Sequence, residues 1–265
     1  MTPPASASSP LLQLVGLSKS FGKLDAVKEI SVTLSAGEIR GLIGPNGSGK
    51  TTLFNLISGF LKPTAGQILW RGEEIAGLAP HRIARLGIVR TFQLTSVYGD
   101  LTVMENLLMS SHLGNRSGVL AQSLQLPSAR AEERRLSERC REILDEMGLT
   151  ELADSRAANL AGGTQKILGI ANALAADPIL LMLDEPLAGL NPAEKTALME
   201  KIETLRARGL TILIVEHDMK AVMTTCDRVT VICYGEKIAE GTPQEVSRDQ
   251  RTIEAYLGQD EAVHA

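Results

Sequence analysis

The segment GLIGPNGSGKTTLFNLISG, residues 41–59, decides the fold. It begins inside an apolar stretch, residues 38–44, that predicts a buried β-strand ending at glycine. After the glycine-rich turn, the residues that follow Lys50 predict a helix that ends at Gly59. The turn matches the pattern GxxxxGK[ST], which requires a strand before it and a helix after it. The sequence therefore predicts a phosphate-binding loop between a strand and a helix.

Each residue type in this loop has a physical role in holding a polyphosphate. The glycines let successive backbone N–H groups point inward, and the N-terminus of the helix adds positive potential. Lys50 supplies a cation for the β- and γ-phosphates, and the hydroxyl of Thr51 is a ligand for Mg²⁺. The residues expected to contact the nucleotide are Gly44, Pro45, Asn46, Gly47, Ser48, Gly49, Lys50, Thr51 and Thr52.

Two further strands are predicted to end in polar side chains. ILLMLDE, residues 179–185, delivers Asp184 and Glu185 to the carboxyl edge of the sheet, where ligands bind in open α/β folds. We expect Asp184 to hold the hydrated Mg²⁺ and Glu185 to orient and polarise the attacking water. TILIVEHD, residues 211–218, places His217 at the same edge, within reach of the γ-phosphate. For each pattern taken alone, the alternative is an exposed loop residue without a function.

Three features outside these strands complete the candidate site. Gln93, in RTFQ, is predicted to direct its carbonyl at the Mg²⁺ or at the water, and an ordinary polar loop residue is the alternative. Phe21 is predicted either to stack on adenine or to lie in the core. Gly162 and Gly163 precede a helix predicted over residues 164–176, whose free N–H groups form a second anion-binding site.

Local patterns predict the layout of the chain. Residues 11–36 and 66–75 predict antiparallel hairpins, and the strand–helix alternation after residue 160 predicts a mostly parallel sheet. In between, Thr102 and Glu105 form a capping box, residues 114–130 read as a loop and residues 131–147 as a helix. Thr242 and Pro243 begin the last predicted helix.

These patterns predict one domain over residues 11–258. Residues 11–92 and 163–258 form its core and β layer, and residues 93–162 form a helical subdomain. Residues 1–10 are expected to be a disordered leader without a signal-peptide pattern, and residues 259–265 a tail.

Composition excludes several classes of function. The three cysteines, Cys140, Cys226 and Cys233, have no CxxC spacing, so neither a disulfide framework nor a zinc site is expected. A net charge of −4 lowers the expectation of a nucleic-acid partner. Apolar runs such as residues 179–183 are far shorter than the roughly 20 residues that a membrane-spanning helix requires.

The motifs together carry a family resemblance. In chain order, Phe21, GPNGSGKT, Gln93, LAGGT, LLMLDEP, AGLNP and His217 make the chain similar to the ATP-binding subunits of ABC transporters. The resemblance implies an α/β P-loop NTPase with a RecA-like core, an antiparallel β subdomain and a helical subdomain, which binds ATP and Mg²⁺. It also implies that two ATPase units pair head to tail, as a homodimer or a heterodimer. Ala161, Gly162 and Gly163 of one unit then cap the nucleotide in the P-loop of the other.

A closer likeness, to ATPases that import branched-chain or other hydrophobic amino acids, rests on GIVRTFQ, AGLNP and the ending IAEGTPQEV. It implies separate transmembrane permease subunits, an external solute-binding protein and a peripheral position at the cytoplasmic face of the inner membrane. The alternatives are a soluble ABC-type ATPase acting in translation or DNA maintenance and a P-loop kinase of small molecules.

The signature segment departs from the family pattern Leu-Ser-Gly-Gly-Gln. Ala161 lacks the serine hydroxyl, and Thr164 and Asn172 stand where glutamine and arginine are common. A hydrogen bond to a charged group contributes about 1.5–3 kcal/mol, so its loss is expected to weaken closure or to slow turnover by about tenfold to a hundredfold.

Overall fold

A computed structural model describes residues 10–91, 97–114 and 127–262 of the chain. Within them the strands form two sheets, one of four strands and one of six. The strands of the first sheet are β1 (Pro10–Phe21), β2 (Leu24–Ser35), β4 (Ala65–Trp70) and β5 (Glu73–Glu74). Those of the second are β3 (Ile39–Ile43), β6 (Ile88–Arg90), β7 (Leu180–Asp184), β8 (Thr211–Val215), β9 (Arg228–Cys233) and β10 (Glu236–Gly241).

The six-stranded sheet positions the site. Its order is β10-β9-β3-β8-β7-β6, and every pair is parallel except the edge hairpin β9-β10. The strands β3, β7 and β8 are therefore neighbours whose carboxyl ends lie at the same edge. This order brings the loop after β3 beside Asp184 and the residues after β8, as the strand patterns predicted.

Both faces of this sheet are buried, which explains why its strands are continuously apolar. Along β7, Leu181 and Leu183 join one hydrophobic core, whereas Leu180 and Met182 join the other. The first core holds the long helices, and the second holds the four-stranded antiparallel sheet and the helix after the P-loop. Cys140 is completely buried in the first core.

The helices connect these strands. They are α1 (Lys50–Ile57), α2 (Pro80–Arg85), α3 (Val103–Gly114), α4 (Pro127–Glu146), α5 (Gly162–Leu174), α6 (Pro192–Ala207), α7 (Met219–Thr225), α8 (Pro243–Arg248) and α9 (Gln250–Ala262). Helices α1 and α2 pack in the second core, and the long helices cover the first. The predicted capping box of α3 is confirmed, since Thr102 N lies 2.7 Å from Glu105 Oε2 and Glu105 N lies 3.2 Å from Thr102 Oγ1. Among the described residues no helix has the length and apolar character needed to span a membrane.

Several predicted element boundaries were wrong. Helix α5 begins at Gly162, not at residue 164, and Ala161 is its N-cap. Helix α4 begins at Pro127, inside the segment predicted as a loop. Strand β1 begins at Pro10, the last residue assigned to the leader.

The C-terminal end also differs from the prediction. Helix α8 is not the last helix, because α9 follows it and extends to Ala262, past residue 258 and into the expected tail. Asp249 separates the two helices and accepts a hydrogen bond from Thr252 N at 2.9 Å. The local signal for α9 is this N-cap, with Asp249 three residues before Thr252.

Candidate active site

The P-loop is held against neighbouring backbone on two sides. An ideal Cβ on Gly44, at φ 150°, would lie 1.9 Å from the carbonyl oxygen of Ile232, and one on Gly49 would lie 2.3 Å from that of Ala26. Gly235 N donates to Ser48 O at 2.9 Å, which ties the loop to the β9–β10 turn. The loop is thus fixed in shape by the fold around it.

Lys50 lies inside the loop. Its ammonium donates to the carbonyl oxygens of Gly44 at 2.7 Å and Pro45 at 2.8 Å, and the side chain is buried. Burial lowers the pKa of Lys50, and the carboxylates of Glu185 and Asp184 partly offset this. A lysine close to two carboxylates in a nest of backbone N–H groups is suited to bind a polyanion such as a triphosphate.

A cleft of about 660 Å³ extends from the P-loop to Phe21. Residues 46–52 form one wall, and Glu185 and His217 lie at the same cleft. The ring of Phe21 is 48% exposed, so it is not a core residue, and Lys19 Nζ lies 5.1 Å from its centroid. Tyr234, which the sequence analysis did not single out, also lines the cleft and is 83% exposed.

Asp184 is the last residue of β7 and is buried. Its Oδ2 accepts a hydrogen bond from Nη2 of Arg90 at 2.6 Å, and Nη1 of Arg90 contacts Asn55 Oδ1, also at 2.6 Å. Sequence reasoning missed this arginine, since nothing local to GIVRTFQ indicates its partner on another strand. The pair links β6 and β7 to the helix that follows the P-loop.

Glu185 and His217 are in direct contact. Nε2 of His217 lies 2.8 Å from Oε1 of Glu185, and both side chains are partly exposed to the cleft. Glu185 has a φ of 48°, rare for a residue with a side chain, and its N–H donates to Val215 O at 2.9 Å. A carboxylate oriented by an imidazole at the end of a polyphosphate cleft can accept a proton from an attacking water.

The remaining predicted residues lie apart from this cleft or outside the description. Ala161, Gly162 and Gly163 begin α5, and none of them is among the described residues that line the cleft. Gly162 is exposed, and an added Cβ there would contact nothing within 4 Å. Gln93 lies in residues 92–96, outside the described residues; the described chain reaches Thr91, whose N–H donates to Met182 O at 3.0 Å.

Comparison with known proteins identifies the family. The family model described as ABC transporter matches residues 27–188. The chain belongs to the ATP-binding subunits of the ABC transporter family. A second model, for the branched-chain amino acid ATP-binding cassette transporter, matches residues 236–262 of this ABC ATPase. The predicted family is therefore confirmed, and so is the prediction that the chain is an ATPase.

Similar proteins cover nearly the whole chain. It is 45% identical over 253 residues to the high-affinity branched-chain amino acid transport ATP-binding protein LivG of Escherichia coli K12, which covers 95% of this chain and 99% of the relative. It is 43% identical, with the same coverage, to the BraF protein of Pseudomonas aeruginosa, described in the same words.

Solved structures of ABC cassettes share the fold. An ATP-binding cassette of an ABC transporter in its ADP conformation is 33% identical, with a TM-score of 0.83 over 94% of this chain and 99% of that one. A nucleotide-free cassette is 32% identical, with a TM-score of 0.82 over 93% and 98%. The predicted P-loop NTPase fold of the ABC type is therefore confirmed.

Proposed function

We propose that this ABC ATPase is the ATP-hydrolysing subunit of an importer of branched-chain or other hydrophobic amino acids. The observation that carries the proposal is the 45% identity to a branched-chain amino acid transport protein over 95% of the chain. The match at residues 236–262 supports it independently, because that segment lies outside the general ABC match at residues 27–188. Because this similarity extends over nearly the whole chain, the alternative of a soluble ATPase acting in translation or DNA maintenance is not favoured.

The described geometry supports roles for the predicted residues that line the cleft. Residues 44–52 hold the phosphates, Lys50 contributes its charge, and Phe21 stacks on the adenine. Glu185 accepts a proton from the attacking water, and His217 orients Glu185 and contacts the γ-phosphate. Because hydrolysis requires Glu185 to act as a base, its contact with His217 is the central feature of the mechanism.

The residues at the carboxyl edge fit Mg²⁺. Thr51 and Asp184 present a hydroxyl and a carboxylate, which are oxygen ligands of the kind that Mg²⁺ prefers, and Gln93 would add an amide oxygen. Among the described residues there is no cluster of three or more His, Cys, Asp or Glu side chains suited to a metal. Mg²⁺ needs no such cluster when substrate phosphates supply ligands, and when bound it neutralises phosphate charge.

Hydrolysis is proposed to need a second ATPase subunit. Ala161, Gly162 and Gly163 do not line the cleft that extends from the P-loop to Phe21, and α5 begins there without a side-chain cap at its positive end. Gly162 lines a neighbouring cleft together with Asp184 and Glu185. In a head-to-tail pair, homotypic or heterotypic, this helix start faces the γ-phosphate bound by the other subunit. ATP binding then closes the pair, and hydrolysis opens it.

The motion is proposed to reach separate permease subunits through residues 93–106. The complex is placed at the cytoplasmic face of the inner membrane, with an external protein delivering the solute. These proposals are supported by the names of the relatives, which are transport ATP-binding proteins.

An uptake assay tests the function. In cells deleted for this gene, the tagged chain is expected to restore uptake of labelled leucine and to co-purify from detergent-treated membranes with permease subunits. Glu185→Gln is expected to co-purify equally but to abolish uptake, because only hydrolysis is lost. Restored uptake with Glu185→Gln, or recovery of the chain with ribosomes or DNA and without permease, would overturn the proposal.

A further inference from the structure

Glu216 is a buried acid that none of the roles above uses. It follows the last residue of β8, immediately precedes His217 and is only 3% exposed. Buried carboxylates are costly unless each oxygen has a partner. The partners of Glu216 are therefore informative about what it does.

Both oxygens of Glu216 accept backbone hydrogen bonds. Leu187 N donates to Oε1 at 2.6 Å, and His217 N donates to Oε2 at 3.1 Å. Leu187 lies two residues after Glu185 and is itself buried. One carboxylate thus joins the segment that follows the proposed base to the backbone of the imidazole that contacts that base.

Neighbouring contacts tie the same two segments to the helices around them. Lys166 of α5 donates to Pro186 O at 3.4 Å and also to Ala188 O, on the chain just after Glu185. On the other side, Lys195 of α6 forms an ion pair of 2.8 Å with Asp218, the residue after His217. Residues 216–218 are therefore connected to residues 186–195 by two contacts, Glu216 with Leu187 and Asp218 with Lys195. Of the two acids, Glu216 is the buried one.

The surroundings of Glu216 act on its pKa in opposite directions. Burial raises the pKa of Glu216 above its ordinary value and the nearby Glu185 adds to this, while the backbone N–H groups of Leu187, His217 and Asp218 oppose the rise. Burial lowers the pKa of Lys166, and the charges of Glu216 and Glu185 oppose this lowering. The N–H groups of Leu187 and His217 need two acceptor oxygens, whereas glutamine, a neutral side chain of the same size, supplies one.

We propose that Glu216 is a positioning residue for ATP hydrolysis, which holds His217 against Glu185 by fixing the backbone of both segments. The proposal rests on the proposed site, in which Glu185 is the base. Glu216 touches neither nucleotide nor water in this role, and it acts through His217.

The test compares two buried carboxylates. Glu216→Gln keeps the volume and one acceptor, but its amide NH₂ then faces a backbone N–H. We expect kcat for ATP hydrolysis to fall about tenfold to a hundredfold, as for the loss of a hydrogen bond to a charged group. Binding of trinitrophenyl-ATP is expected to change less than about twofold, because Glu216 does not line the cleft.

Glu38→Gln is the matched control. Glu38 is 8% exposed, accepts from Ser35 N at 3.0 Å and pairs with Arg40 on β3. This substitution is expected to lower the melting temperature while kcat stays unchanged. If Glu216→Gln also lowers only the melting temperature, Glu216 is merely structural and the proposal is wrong. If the glutamine variant does not fold, Glu216→Asp takes its place, because it keeps both acceptors on a shorter side chain. Its kcat and melting temperature are then compared with those of Glu38→Gln.

A double-substitution cycle tests the route through His217. In the His217→Ala background, Glu216→Gln is expected to lower kcat by less than about twofold, because residues that act as a unit are non-additive. A full additional loss would contradict the proposal. Glu185→Gln is assayed alongside. If that variant hydrolyses ATP at the wild-type rate, the proposed site itself is wrong. If Glu185→Gln loses hydrolysis but the kcat losses of Glu216→Gln and His217→Ala are additive, only the Glu216 proposal is rejected.

Discussion

The guanidinium of Arg90 and the carboxylate of Asp184 form a buried ion pair, with Nη2 and Oδ2 2.6 Å apart. Only 8% of the arginine side chain and 6% of the aspartate side chain are exposed. The same guanidinium contacts Asn55 of α1 and lies 5.5 Å above the ring of Phe54. Arg90 therefore connects the proposed magnesium ligand to the helix that starts at the P-loop.

Arg90→Ala is expected to lower the free energy of unfolding by about 3–5 kcal/mol, because it leaves a buried carboxylate without its cation. The control is Arg139→Ala, since Arg139 forms an exposed pair with Glu142 of 48% and 68% side-chain exposure. That change is expected to cost less than about 1 kcal/mol. Denaturant unfolding measures both, and equal small effects would contradict the importance of the pair.

The P-loop and its flanking elements were predictable from the sequence because each signal is local. The glycine spacing, the apolar run before Gly44, the capping box at Thr102 and the helix start at Thr242 depend on residues a few positions apart. The edge on which Asp184, Glu185 and His217 meet was also predictable, because neighbouring parallel strands end on the same side.

The contacts between strands could not be predicted. Arg90 meets Asp184, and Leu187 meets Glu216, only because β6, β7 and β8 are adjacent, and a single sequence does not give the order of strands. Helix boundaries were also uncertain where glycine or proline lies in the first turn, as at Gly162 and Pro127. Proline is common at the first helical position, and glycine weakens a helix without excluding it, so neither residue marks the boundary.

Two glycines of the P-loop are expected to differ sharply in their tolerance of alanine. A Cβ on Gly44 would overlap the backbone of Ile232, so Gly44→Ala is expected to cost about 3 kcal/mol or more. Gly47 has a φ of 75° and open space around it, so Gly47→Ala is expected to cost about 1–2 kcal/mol from the backbone conformation alone. Thermal unfolding of the two variants measures the difference, and equal losses would show that the packing against Ile232 is not decisive.

Phe21→Ala is expected to weaken ATP binding by about twofold to tenfold, since an aromatic stack contributes about 0.5–1.5 kcal/mol. The ring is 48% exposed, so the free energy of unfolding should change by less than about 1 kcal/mol. Phe21→Tyr retains the stacking face and should bind as the wild type does. Equilibrium titration with a fluorescent ATP analogue measures affinity, and an unchanged affinity for the alanine variant would place the adenine elsewhere.

Ala161→Ser is expected to have two separable effects. Ala161 is the N-cap of α5 and makes no capping hydrogen bond, so serine should add about 0.5–2 kcal/mol of stability. The new hydroxyl should also raise turnover, by about tenfold, through a bond to the γ-phosphate of the paired subunit. Ala161→Gly is the control, because glycine is a good N-cap without a hydroxyl. Should glycine raise kcat as much as serine does, the hydroxyl has no role.

The most direct test of the account is whether ATP pairs two subunits through the start of α5. Gly162→Asp adds a charge in open space, in a first turn where aspartate favours the helix, so the single subunit should remain folded and bind ATP normally. Light scattering after gel filtration measures pairing, with the purified chain alone or together with its co-purified partner ATPase. ATP should produce a dimer of the Glu185→Gln variant, and also of the same variant carrying Gly162→Asn, which is the uncharged control. The Glu185→Gln derivative carrying Gly162→Asp should stay unpaired, because its carboxylate repels the γ-phosphate. ATP-dependent pairing of that last variant to the same extent would contradict the head-to-tail site.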